Sequence, residues 1–185
     1  MTPARVIILN GVGSVGKSST ARALQALTRE PFLHLAMDAF IDMLPARLIG
    51  APEGFVFEPT TDQGRPSVAI RTGPAFERVM SGMRHAIAAM ARAGNNLIVD
   101  DVMLDGGEAE AYQALLADLS PRFVGLFAPL EILEQRERDR GDRMAGLARW
   151  QYSRVHEGLA YDLEIDTAAS SPAQAAQIIR DRFDL

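Results

Sequence analysis

"ILNGVGSVGKSSTARAL" occupies residues 8–24 and sets three glycines, a lysine and a serine pair between an apolar run and a stretch that repeats alanine and leucine at helical spacing. Within it Gly11, Val12, Gly13, Ser14, Val15, Gly16, Lys17 and Ser18 satisfy G-x-x-x-x-G-K-[ST] in full. The flanks make the match informative. A short strand is expected over residues 6–9, and a helix is expected over residues 18–27. Glycines between them let the backbone turn its amides inward around phosphate oxygens, and the helix N-terminus adds partial positive charge. Lys17 then reaches the β and γ phosphates, and Ser18, followed by Ser19, offers an oxygen to magnesium. The segment is a binding loop for a nucleoside triphosphate and Mg2+.

Working outward, further short apolar runs at residues 32–37, 97–99 and 123–127, and a weakly alternating segment at 162–166, read as strands. Helical patterns lie between them at 39–44, 76–93, 108–119 and 131–140, with a further helix after 141–143 running through 148 and a closing helix at 172–183. Strands that alternate with helices pair in parallel and need helices on both faces. The expected fold is α/β: one domain over residues 1–185, a doubly wound parallel five-stranded sheet, with ligands gathered at the carboxyl ends of the strands. Residues 48–72 carry glycines, prolines and Thr-Thr-Asp without a period, and are expected to form a long loop that covers the acceptor.

Composition narrows the function classes. A length of 185 residues suits one core rather than two. The net charge of −5 argues against nucleic acid or an anionic membrane as partner. Cysteine is absent, which excludes disulfides, thiolate metal sites and cysteine nucleophiles. The apolar run near the start is too short for a signal peptide, and no run approaches a membrane span, so a cytoplasmic protein acting on a small molecule is expected.

Four groups of side chains extend the phosphate loop. Asp100 and Asp101 end an apolar strand, and since neighbours on a strand face opposite ways only one can serve the metal; Asp100 is preferred. Residues 134–143 carry arginines at 136, 138, 140 and 143. Glu134 and Arg138 are spaced for a surface pair. Arg136 and Arg140 repel at that spacing unless an anion lies between them, so they and Arg143 are candidates to neutralise a migrating phosphoryl group. Asp38 follows the second strand, where it either accepts a proton from an attacking hydroxyl or caps the helix after it. Phe40, Met43, Phe55, Phe57 and Met103 are each either ordinary core or part of an apolar acceptor pocket. His34, His85 and His156 show no metal-ligand spacing and read as structural or surface residues.

The stretches "RVIILNGVGSVGKSS", "MDAFIDMLP", "IVDDVML", "RERDRGDRMAGLA" and "VHEGLAYDLEIDT" together resemble the chloramphenicol phosphotransferases, small P-loop kinases that phosphorylate the antibiotic's primary hydroxyl. The likeness spans nearly the whole chain and departs mainly at residues 48–72. It implies ATP as donor, Asp38 as general base, an arginine lid at about 131–148 holding Arg136, Arg140 and Arg143, and an antibiotic hydroxyl as acceptor. A metabolic kinase for another alcohol or sugar acid, or a slow nucleotide-dependent binding protein, would use the same loop.

Overall fold

The computed structural model describes residues 3–104, 106–141 and 144–185. Strand β1, Val6–Asn10, is buried at every position, as its unbroken aliphatic run requires of a strand covered on both faces. The chain continues through α1 (Lys17–Leu27), β2 (Phe32–Ala36), α2 (Met37–Ile41), a single 3-10 turn (Ala46–Leu48), β3 (Phe55–Asp62), β4 (Arg65–Thr72) and α3 (Pro74–Arg92). It ends with β5 (Asn96–Asp101), α4 (Gly106–Leu115), β6 (Arg122–Phe127), α5 (Leu130–Arg140), α6 (Leu147–Tyr152), β7 (Leu163–Asp166) and α7 (Pro172–Phe183).

The main sheet is parallel and five-stranded in the order β2-β5-β1-β6-β7, the expected doubly wound architecture. Side chains alternate across it into two cores. Val6, Ile8, Leu97 and Val99 pack with Met83, Ile87 and Tyr112 of α3 and α4 on one face. Ile7, Leu9, Ile98 and Leu126 pack with Leu24 and Ile179 of α1 and α7 on the other. Among the described residues no helix is long and apolar enough to cross a membrane.

Residues 48–72 correct the sequence reading, because most of this stretch is an antiparallel hairpin rather than an irregular loop. Strands β3 and β4 pair from Phe55↔Thr72 to Asp62↔Arg65. Their two-residue turn has Gln63 at φ 47 and Gly64 at φ 76, the doubly positive geometry that matches hairpin twist. Pro59 and Pro66 interrupt the alternating pattern by which a strand is recognised, which is why the period was invisible. The hairpin is fastened to the main body where the Val68 N–H donates to the Gly146 carbonyl at 3.0 Å.

A second fastening lies beneath the sheet's carboxyl edge. Asn10 Nδ2 donates to the Val155 carbonyl and to the Tyr161 hydroxyl, each at 2.7 Å. The Tyr161 hydroxyl lies 2.7 Å from His156 Nδ1, and the imidazole stacks on Phe127 at 3.9 Å between centroids. Burial, aided by the positive charge of Lys17, lowers the His156 pKa to about 4. A folded-state value depressed from 6.5 means that acid protonates the unfolded chain more readily than the folded one. This residue therefore contributes stability that is complete above about pH 6.5 and is lost as pH falls toward about 4. Melting curves across that window should fall more steeply for the parent protein than for His156→Gln; parallel curves would show that this imidazole is not buried neutral.

Candidate active site

The phosphate loop joins β1 to α1, and its glycines answer to close approach and to backbone angle. A Cβ on Gly11 would lie 2.6 Å from the Leu126 carbonyl oxygen, and Gly16 sits at φ 102. Ser14 is also left-handed, at φ 65, and its buried hydroxyl has no hydrogen-bond partner among the described residues. The Lys17 ammonium is folded under the loop, donating to the carbonyls of Gly11 at 2.8 Å and Val12 at 3.2 Å. Gln151 Oε1 accepts from the Gly13 N–H at 2.8 Å, a loop contact from α6 that the linear pattern could not reveal. Val12 and Val15 bury their side chains in the core and leave their backbone at the loop.

Asp100 and Asp101 separate as strand alternation requires. The Ser18 hydroxyl donates to Asp100 Oδ2 at 2.5 Å, so the hydroxyl and the preferred carboxylate of the sequence reading meet beside the loop. Burial works against the charge on Asp100, but His34, the Lys17 charge and the Ser18 hydroxyl outweigh it and hold the carboxyl below its ordinary range. His34 Nε2 stands 3.5 Å from Oδ2, at the long limit of such contacts. Asp101 turns the other way, accepting from Tyr112 at 2.7 Å and from the Val102 N–H at 2.8 Å. Its complete burial raises its pKa despite those bonds. One hydroxyl and one carboxylate form a sparse, hard oxygen set that fits a magnesium ion retaining most of its water.

The arginine segment is differently wired from the sequence reading. Glu134 pairs with buried Arg149 at 2.5 Å, while Arg138 donates to Gln135 Oε1, so the expected Glu134–Arg138 pair is replaced. Arg136 is tied inward, donating to the Thr167 hydroxyl at 3.1 Å and carbonyl at 2.7 Å. Arg140 borders both cavities of the site. Arg143 lies outside the described residues. Glu137, which sequence reading passed over, is buried and accepts from the backbone N–H groups of Gly146 and Ala148, each at 2.8 Å.

Two cavities meet at Ser14, Gly16, Ser19 and Arg140. One, of about 600 Å³, is a trough between the loop and the chain after β7, bordered by Arg136, Thr167 and Ser171. The other, of about 670 Å³, runs from Lys17 and Ser18 past Asp38 to a wall of Phe55, Phe57, Ile70, Phe76 and Met80. Asp38 belongs to the first turn of α2 rather than to the strand end, and the residue in the cap position is Ala36, so the capping alternative falls. Phe55 and Phe57 face this cavity, with Phe55 packed edge-on against Phe57 and Phe76. The other apolar candidates do not. Met103 is wholly buried in the core, Met43 is 69% exposed to solvent, and Phe40 packs partly buried against the core beneath. Arg84, unremarked in the sequence, lines the same cavity with its side chain only 14% exposed.

The model of the chloramphenicol phosphotransferase-like proteins matches residues 4–184. A Mycobacterium tuberculosis protein named "Putative O-phosphotransferase" is 28% identical over 188 residues, covering 99% of this chain and 84% of that relative. Among solved structures, a sugar kinase from Janibacter superposes with TM-score 0.69 at 21% identity, covering 98% of this chain and 95% of that one. The APS kinase of M. tuberculosis, solved in complex with AMPPNP and APS, gives TM-score 0.69 at 16% identity and 99% coverage of both chains. At such identities the superpositions speak for the fold.

The buried Glu137 yields a direct test of how the arginine segment is held. Glu137→Gln keeps the shape but offers one acceptor oxygen to two N–H donors, leaving the other facing an amide NH₂. A loss of about 1–3 kcal/mol is expected, which for a chain of this size lowers the melting temperature by roughly 2–10 °C. Trypsin cleavage after Arg140 should quicken in parallel. Unchanged melting and cleavage would mean that this carboxylate does not anchor the segment.

Proposed function

The chain belongs to the chloramphenicol phosphotransferase-like family, and we propose that it is an ATP-dependent kinase acting on a hydroxyl of a small molecule, chloramphenicol or a related antibiotic being the first acceptor to test. The observation that carries this reading is the junction of the two cavities at Ser14, Gly16, Ser19 and Arg140, which opens a trough and a second pocket with an aromatic wall onto one phosphate loop. A pocket of about 670 Å³ suits a drug-sized ligand, and its aromatic wall suits an aromatic body.

In this reading the adenosine occupies the trough beside Arg136 and Thr167, and the loop amides hold the phosphates. The orphaned Ser14 hydroxyl supports that use, because a buried polar group without a partner is costly unless a ligand supplies one. Lys17 leaves its loop carbonyls to neutralise the β and γ oxygens. Ser18 and Asp100 would hold a magnesium ion, which would supply positive charge at the phosphates. Asp38 takes the acceptor's hydroxyl proton as the acceptor oxygen bonds to the γ-phosphorus and the bond to the bridging oxygen breaks, ADP departing with the electron pair. Arg140, at the junction, faces the charge that develops in transit.

The experiment is transfer from γ-labelled ATP. Label should appear on chloramphenicol, and blocking its primary hydroxyl should stop incorporation. Lys17→Ala should lose about 10²-fold or more of the turnover, and Asp38→Asn about 10²- to 10⁴-fold, both with melting temperatures near the parent's. Parent-like transfer by a folded Asp38→Asn protein would remove the base from the mechanism, and an absence of label on every hydroxyl compound tested would sink the kinase reading.

A further inference from the structure

Phe76, Met80 and Arg84 recur every four residues along α3 and line the acceptor cavity together. The third member of this face is thus a cation where the spacing of the first two would continue apolar. Its guanidinium makes no hydrogen bond among the described residues. Among the described residues the nearest anion is Glu108 Oε1 at 3.8 Å, while Glu108 Oε2 is engaged by the Leu104 N–H at 2.6 Å. The other acids near it do not spend its donors either. Glu77 borders the same cavity but is exposed, and Asp101 directs its oxygens to Tyr112 and Val102. A largely buried guanidinium with unspent donors is costly unless something occupies them. Its planar fork matches a planar group carrying two acceptor oxygens.

We infer that Arg84 is a specificity-determining residue that binds a carboxylate or nitro group on the apolar body of the hydroxylated acceptor. The inference rests on the kinase reading for the identity of the ligand as an acceptor, but the recognition itself is a binding event. It also explains why the cation interrupts an otherwise apolar face: the aromatic wall takes the body of the ligand, and Arg84 selects among bodies of similar size by their oxygen pair.

The test uses calorimetric titration of the full chain with AMPPNP present, so that binding is read without turnover. Three probes share one arylpropanediol scaffold: chloramphenicol with its para-nitro group, its para-carboxylate analogue, and the analogue with hydrogen at that position. The parent protein should bind at least one oxygen-bearing probe about 10- to 100-fold more tightly than the hydrogen analogue, and whichever is tighter identifies the group the site is built for. Arg84→Gln should erase the ranking while leaving the hydrogen analogue bound as before. Arg84→Lys keeps charge without the fork; it should recover part of any carboxylate preference and none of a nitro preference, and it carries the test if the glutamine variant fails to fold. Equal affinities for the three probes, no binding of any of them to the parent, or a variant that weakens all three alike would overturn the assignment and reduce Arg84 to a structural partner of Glu108. The expected ranking with no phosphate transferred to any probe would overturn the kinase reading instead, and transfer to all three at equal affinity would do the reverse.

Discussion

Asn10 ends the central strand with a buried side chain whose three hydrogen bonds reach the Val155 carbonyl, the Tyr161 hydroxyl and the Met103 N–H. A buried amide must find such partners, and here they come from the chain after β5 and the chain after α6. The next residue, Gly11, passes within a Cβ's reach of the Leu126 carbonyl. Strand β1 therefore cannot slide or rotate at its end without opening contacts to β5, β6 and the 155–161 segment together. The phosphate loop inherits its position from that constraint, and with it the direction of Lys17 and the meeting of Ser18 with Asp100.

The rest of the site is built around the loop by elements that share anchors. Glu137 holds the start of α6, α6 presents Gln151 to the Gly13 N–H, and the Gly146 carbonyl holds the hairpin through Val68. Arg149 adds a buried ion pair to Glu134 and reaches the hairpin tip at Asp62, 3.8 Å away. A buried pair of this kind contributes little net stability, because desolvation offsets its attraction, yet breaking it strands a charge. Its consequence is geometric. The arginine segment, the phosphate loop and the aromatic wall of the second cavity are held in one arrangement, so the two cavities are not independently positioned.

The sequence was most legible where one local physical rule decides the outcome. The phosphate loop announces itself by its spaced glycines and lysine, and the central strands β1, β5 and β6 by the apolar runs that burial on both faces leaves. Strand alternation separated Asp100 from Asp101 without choosing between them; the Ser18 hydroxyl makes that choice. Legibility failed where the deciding partner is distant in the chain. The fate of Glu134 depended on Arg149, that of Arg136 on Thr167, and that of His34 on Asp100, none of which spacing reveals. The hairpin was hidden by Pro59 and Pro66, although Asp62-Gln63-Gly64-Arg65 carried a turn signal that could have found it. Met103 and Met43 show the remaining difficulty: the same side-chain chemistry ends at 0% and 69% exposure, a difference set by tertiary packing rather than by composition.

The central claim is that the two cavities form one reaction cleft meeting at the phosphate loop. The most direct measurement is equilibrium competition by a bisubstrate compound in which chloramphenicol's primary oxygen is joined to adenosine through a polyphosphate chain. Tethering two ligands that occupy adjoining sites makes the second binding event intramolecular. The account predicts a single binding site per chain, displacement of both ATP and free acceptor, and affinity well above that of either half. Displacement of ATP alone, with affinity no better than the nucleotide's own, would contradict it.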